Sequence, residues 1–298
     1  MLSVGRILEG AFGLVRERYV AVAAWAGIYL AANIALAVAV RPLLGQSMSP
    51  AMTPNPTDMF VASGPVFLIA LFFAAFGFVI YAAAMRAILR PEAGGIAYLR
   101  LGMDELRLFG VAILFSVGGT ILFLIVTFAF GLVGVGIAAS GDPGIGSALL
   151  GLLFILALLA VVVFFIVRFS LAFPLTLYRQ QIVIGEAWTL SRGHFWSLFG
   201  AALVITLILM VLNIAVSAFT MGSYMSDLMS AAGNPEALAR AAEAQQESYS
   251  QLGPAMILAS LGGAVAAALG AALTGGSVAT AAKLLLHDEM DDAEDVFG

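Results

Sequence analysis

Long apolar runs alternate with short segments that hold almost all of the charge. Six runs stand out, at residues 19–40, 60–84, 110–139, 148–167, 198–221 and 254–282. A bilayer core of about 30 Å is crossed by roughly 20 apolar residues in a helix, and each run meets that length. Between the runs the pattern becomes helical and one-sided. In residues 3–18 a 100° step per residue gathers Val4, Ile7, Leu8, Ala11, Leu14 and Val15 on one face. Arg6, Glu9, Gly13, Arg16 and Glu17 fall opposite, which predicts a helix lying in the interface rather than a span. Residues 89–109 predict a second such helix, with stripes at Ile96, Leu99, Met103 and Leu106 and at Tyr98, Leu101 and Leu108. Arg100 and Asp104 stand four apart on it and are placed to pair.

Residues 168–197 hold the turn around which the pattern is organised. The fourth run ends at Arg168, Pro174 follows, and a short segment then puts Ile184, Ala187, Trp188, Ser191 and Phe195 on one face. His194 lies at the edge of that face. Glu186 is an acid among arginines here, and pairing with Arg168 or Arg192 would neutralise it. Three stretches of one grammar, a one-sided helix bending straight into a span, begin at residues 8, 98 and 186 and suggest a threefold helix–span–span repeat.

The outer connections differ in kind. Residues 42–59 are rich in Pro, Ser and Met and predict an irregular loop, and 140–147 (SGDPGIGS) a tight turn. In 222–253, Asn234-Pro235-Glu236 is a helix start, with Asn as cap and Pro at the first helical position, and predicts an outer helix. In the sixth run Gly262, Ala266 and Gly270 recur at four-residue spacing, a groove that lets helix backbones approach. The prediction is an all-α, polytopic six-span helix bundle with cytoplasmic amphipathic helices. Residues 1–287 form a single membrane domain and 288–298 a disordered acidic tail. The first run exceeds the 7–15-residue core of a signal peptide, so it is taken as an uncleaved anchor.

Composition agrees with this picture. Hydrophobic residues make up 62% of the 298 and charged residues 10%, against roughly 25% in soluble domains. The net charge of −5 comes from the tail: without the six carboxylates between Asp288 and Asp295 the remainder carries +1. No basic patch for nucleic acid is present. The absence of cysteine excludes disulfides and thiolate chemistry, and two histidines, His194 and His287, are too few for a zinc centre unless carboxylates complete it.

Orientation follows from the basic residues. Arg6, Arg16, Arg18, Arg86, Arg90, Arg100, Arg107, Arg168, Arg179, Arg192 and Lys283 lie on one side of the spans, and Arg41 and Arg240 on the other. That distribution of 11 against two puts both termini in the cytoplasm.

Few residues offer chemistry. Ser191 and His194, three apart, are spaced for a nucleophile and base but lack an orienting group and an oxyanion site. Asn33 and Asn213 are the clearest polar residues inside spans, and no ionisable group lies near a span centre, as ion-coupled transport usually requires. Met48, Met52, Met59, Met221, Met225, Met229 and Met256 cluster towards the outer side; thioethers suit Cu(I), but they equally fill irregular packing. No catalytic residue, cofactor or metal is predicted.

At Arg168, Pro174, Gly185-Glu186-Ala187, Ser191, Gly193 and Phe195-Trp196 the chain resembles a bacterial six-span family, as does its opening Gly5-Arg6-Ile7-Leu8 before Ala11-Phe12. This is the membrane domain named after glycerophosphoryl diester phosphodiesterases, together with its uncharacterised relatives. The resemblance covers the whole chain by topology and implies a protein of the inner membrane. It does not imply the enzymatic activity, which in that family belongs to a separate soluble barrel opening on His-Arg-Gly. Here Phe195 follows His194 and Asp288 follows His287. Six spans also leave no room for a barrel of about 250 residues.

The expectation is therefore a non-enzymatic accessory or scaffold protein in contact with lipid, its anionic headgroups met by Arg6, Arg16, Arg100, Arg107, Arg179 and Arg192. The alternative is a transporter or channel for a small or lipidic substrate. A protein partner and an oligomeric state are not readable. The orientation is testable directly, because the chain has no native cysteine. Gln46→Cys, Gly144→Cys and Ser248→Cys should react with an impermeant thiol reagent on intact spheroplasts, and Gly102→Cys and Gln181→Cys should not. Labelling of Gly102→Cys from outside would reverse the assignment.

Overall fold

The computed structural model describes residues 2–47, 56–92, 95–139, 145–230, 234, 236, 237, 240 and 254–297. Among these the protein is all-α, with no strand. Helices α1 (Val4–Glu17), α2 (Tyr19–Ser47), α3 (Pro56–Leu89), α4 (Met103–Ala139), α5 (Ile145–Phe169), α6 (Ala172–Arg179), α7 (Ile184–Leu190), α8 (Phe195–Ser230) and α9 (Pro254–Phe297) follow in order. Six segments are long and apolar enough to cross a membrane: Tyr19–Val38, Phe67–Leu89, Met103–Gly136, Leu149–Arg179, Phe195–Ala218 and Met256–Asp288. They define a multi-pass membrane protein. Their many exposed Leu, Phe, Ile and Val side chains suit hydrocarbon as solvent.

Several boundaries differ from the sequence-based ones. Helix α2 continues through Arg41-Pro42 to Ser47, and α3 already begins at Pro56. All of the expected outer loop that is described, 42–47 and 56–59, is therefore helical, and residues 48–55 lie outside the described set. A proline inside a spanning helix forgoes one hydrogen bond, which such helices tolerate. Helix α8 runs on to Ser230, past the expected end at 221. Asn234 caps as predicted, its Oδ1 accepting from the backbone N–H of Glu236 at 3.1 Å and of Ala237 at 3.3 Å. Most of the outer helix expected after it, and residues 140–144 of the tight turn, lie outside the described set.

The helix expected over 89–109 forms only in its last part, from Met103, and residues 93 and 94 lie outside the described set. Pro91 disfavours helical geometry at the residue before it, and α3 ends at Leu89. A single 3-10 turn, Ile96–Tyr98, follows, with Ala97 and Tyr98 in the left-handed region at φ 54° and 59°. Helix α4 starts only at Met103, where Glu105 reaches back to accept from the Gly102 N–H at 2.9 Å, half of a capping box. Arg100 lies ahead of the helix, so it has no i,i+4 relation to Asp104, which pairs instead with Arg107 at 3.0 Å.

The acidic end is also helical: α9 continues through residues 288–297, which were expected to be disordered. No Gly or Pro occurs between Gly276 and Gly298, so nothing in the backbone chemistry ends the helix.

The chain groups into two compact units. The first comprises Met1–Ile7, Leu101–Ala202 and Val278–Gly298. Its core joins Ile7, Val111, Leu171, Leu175, Ala187 and Ala281. Within it α5 gives way to α6 at Ser170-Leu171, where the Ser170 hydroxyl donates to the Val167 carbonyl at 2.8 Å. Pro174 is the third residue of α6, a position whose N–H has no intrahelical acceptor, so its missing donor is not felt.

The second unit comprises Leu8–Arg100 and Leu203–Ser277. Its core gathers Leu14, Trp25, Ile80, Ala84, Ala268 and Ala272. The predicted groove on α9 is occupied. A Cβ on Gly262 would meet Val216 Cγ1 of α8 at 3.3 Å, and one on Gly270 would meet Leu209 Cδ2 at 3.9 Å. Two unpredicted glycines follow, the first in closer contact still. A Cβ on Gly275 would lie 2.9 Å from Ala84 Cβ and 3.1 Å from the Tyr81 carbonyl oxygen, and one on Gly276 would lie 3.3 Å from Ala11 Cα.

Candidate functional site

Two arginines at the ends of spans organise the polar part of each unit. In the second unit Arg86 sits in the last turn of α3 and is only 1% exposed. Its Nη1 donates to the Tyr98 carbonyl at 2.7 Å. Beside it the fully buried Trp25 indole donates from Nε1 to the Ala97 carbonyl at 2.9 Å. The two left-handed residues thus present consecutive carbonyls to two buried donors. Left-handed geometry costs a non-glycine residue roughly 1–2 kcal/mol. A donor left buried without an acceptor costs about 1–3 kcal/mol, so the two bonds offset a strain of similar size. The Arg18 guanidinium lies 5.7 Å from the Tyr98 ring centre, over its face.

In the first unit Arg168 closes α5. Its Nη1 donates to Ser191 Oγ at 3.2 Å and lies 3.5 Å from the Trp188 carbonyl oxygen. The guanidinium stands 4.9 Å from the Trp188 ring centre and 5.4 Å from that of Phe164. These rings belong to a cluster in which Trp188 and Phe169 are 5.4 Å apart and Phe164 and Phe195 5.5 Å apart. Arg168 Nε is buried without a hydrogen-bond partner, so the ring faces take over part of the solvation that water would supply.

The predicted partners of Glu186 are replaced. Arg179 donates to Glu186 Oε1 from Nε at 3.0 Å and from Nη2 at 2.8 Å. The reason is local: Gln180, left-handed at φ 57°, ends α6 and reverses the chain, which brings Arg179 against the first turn of α7. Arg168 turns to Ser191 and the rings instead. The Ser191 hydroxyl is buried and donates to the Trp188 carbonyl at 3.1 Å while accepting from Arg168, so its proton is not shared with His194. Gly193, at φ 80°, breaks the path between Ser191 and the start of α8, and only glycine takes that conformation without strain.

The remaining sequence-based residues are dispersed. Arg6, Arg16, Arg100 and Arg192 are exposed, while Arg107 and Arg179 are engaged with Asp104 and Glu186. Asn33 Nδ2 donates to the Ser260 carbonyl at 3.5 Å within the second unit, and Asn213 Nδ2 to Leu209 of its own helix at 2.8 Å. Met48 and Met52, with the side chains of Met59, Met221 and Met225, lie outside the described residues. Among the described residues no group of three or more His, Asp or Glu is placed to hold a metal ion. The second unit also carries an apolar groove of about 530 Å³ between α2 and α9, bordered by Tyr19, Gly27, Leu30, Leu261 and Val265.

Arg86 and Trp25 are the site residues that sequence reasoning missed. Arg86 reads as one more topogenic charge. The available signals were the small run Ala82-Ala83-Ala84 before it, which lets neighbours close over the helix, and an indole N–H inside a span, which needs an acceptor.

Comparison with protein-family models, with characterised proteins and with solved structures gave no match.

The Arg179–Glu186 pair is partly exposed, at 41% and 27% of its two side chains, so its coupling should be modest, about 0.5–1 kcal/mol. In double-mutant cycles read by thermal unfolding in detergent, Glu186→Gln should couple to Arg179→Gln by that amount. With Arg168→Gln or Arg192→Gln the losses should add. Coupling to Arg168 and none to Arg179 would contradict the arrangement.

Proposed function

We propose that this is a non-enzymatic accessory or scaffold protein of the bacterial inner membrane, both termini cytoplasmic, that holds anionic lipid headgroups through its cytoplasmic arginines. The observation that carries this reading is the division among those arginines. Arg86 and Arg168 are drawn into the fold, whereas Arg16, Arg100 and Arg192 remain exposed next to large apolar side chains that are exposed as well. Leu101, adjacent to Arg100, is 86% exposed, and Trp196, four residues after Arg192, is 76% exposed. An exposed cation beside an exposed leucine or tryptophan suits the boundary between hydrocarbon and headgroups, where tryptophan concentrates and arginine grips phosphate in a bidentate fork. The partition of basic residues and the resemblance to a six-span inner-membrane family support the same reading. That Asn33 and Asn213 both donate to carbonyls favours it over a polar transport path. The carboxylates at the end of α9 would compete with headgroups for the arginines and weaken lipid binding.

Mass spectrometry of the protein purified with co-bound lipid tests this. Anionic lipid should be enriched over zwitterionic. Arg100→Ala combined with Arg192→Ala should lower the enrichment by about 2 kcal/mol in total, at about 1 kcal/mol per basic residue. Deleting residues 288–298 should raise it. No enrichment in the unaltered, folded protein would leave these arginines a role in insertion only and favour the transport reading.

A further inference from the structure

We propose that the groove between α2 and α9 holds one acyl chain of an anionic phospholipid, whose phosphate is met by Arg16 and Arg18. This rests on the lipid-holding reading above and adds a specific bound molecule to it.

Apart from Val15 of α1, the groove is lined by two segments long and apolar enough to span the membrane, Tyr19–Val38 and Met256–Asp288. Its volume of about 530 Å³ falls in the range of small-molecule sites, about 300–1,000 Å³. From Tyr19 to Leu30 its wall on α2 covers about 16 Å along the helix, at 1.5 Å per residue. That wall is built from small residues: Ala23, Ala26 and Gly27 line it, and a Cβ on Gly27 would find no atom within 4 Å. Leu261 and Val265 form the α9 side. Apart from the Tyr19 hydroxyl the lining side chains are hydrocarbon, so the groove accepts an extended chain and offers nothing to a polar solute.

Shape alone would not retain a lipid, because tails in the surrounding bilayer are equally apolar. The selectivity comes from one end. Val15 and Tyr19 close the groove there, and the exposed Arg16 and Arg18 lie between them in sequence, with one acid, Glu17. Arg18 has its guanidinium over the Tyr98 ring, and Arg16 is exposed next in sequence to Val15; cations beside one end of an apolar groove match a phosphate joined to an acyl chain. A buried segment of another protein would have no use for the cations.

The test is native mass spectrometry in mild detergent with phosphatidylglycerol and phosphatidylethanolamine supplied equally. The unaltered protein should retain one phosphatidylglycerol in preference. Gly27→Leu, which fills open space and leaves the packing of α2 intact, should lower that occupancy at least tenfold. Arg16→Gln should lower it about fivefold, the equivalent of about 1 kcal/mol, with phosphatidylethanolamine unchanged. If Gly27→Leu has no effect while Arg100→Ala with Arg192→Ala does, the groove is overturned and the lipid-holding reading stands. If the unaltered protein prefers neither lipid, both fall. If Gly27→Leu instead shifts a monomer–dimer ratio without changing lipid, a second copy occupies the groove and the proposal is overturned.

Discussion

A guanidinium removed from water must find acceptors or polarisable faces, because the effective penalty of burying an unmet ion is several kcal/mol. In this protein that requirement sets the path of the chain after two spans. Arg86 closes α3 and takes the Tyr98 carbonyl, 12 residues on. Arg168 closes α5 and takes Ser191, 23 residues on, with the rings of Trp188 and Phe164 at its faces. In each unit the basic residue that ends a span holds part of the link that leads to the next span. The same residue type thus serves as a fold anchor where it is drawn into the fold and, in the proposed function, as a lipid contact where it is exposed. The proposed function depends on that partition.

Close approach between helices provides the setting in the second unit. Gly275 admits Ala84 of α3 at a distance that no side chain would allow, and Gly276 admits Ala11 of α1 at one that a side chain would crowd. Ala264, Ala268 and Ala272 continue a buried line of small residues along α9. In hydrocarbon the gain from such contact is packing and hydrogen bonding rather than expulsion of water, so small residues count for more than large ones. Where α9 presents Val265 and Leu261 opposite Gly27, the backbones do not close, and the groove remains.

Much of the architecture was legible because hydrocarbon permits so few solutions. Six apolar runs gave six candidate spanning helices, and the cap at Asn234 and the groove of Gly262 and Gly270 followed from local chemistry. The link at 89–109 was not legible. Its apolar positions fit a helical period, but Tyr98 and Leu108 are buried in different units, while Leu101, Met103 and Leu106 are exposed. Left-handed geometry at Ala97 and Tyr98 leaves no mark in the sequence, since it is imposed by donors on Trp25 and Arg86, 72 and 12 residues away. Glu186 shows the limit on pairing: three arginines stood within reach by sequence, and the left-handed turn at Gln180 chose among them.

Hydrogen exchange across residues 95–102 in Arg86→Met tests the anchoring role most directly. Methionine keeps most of the volume and removes the donors. The account predicts that amides of this segment exchange about tenfold faster or more, the equivalent of losing one buried hydrogen bond of about 1.4 kcal/mol, while residues 184–191 keep their protection. Unchanged exchange over 95–102 in the folded variant would contradict the view that the buried guanidinium holds this link in place.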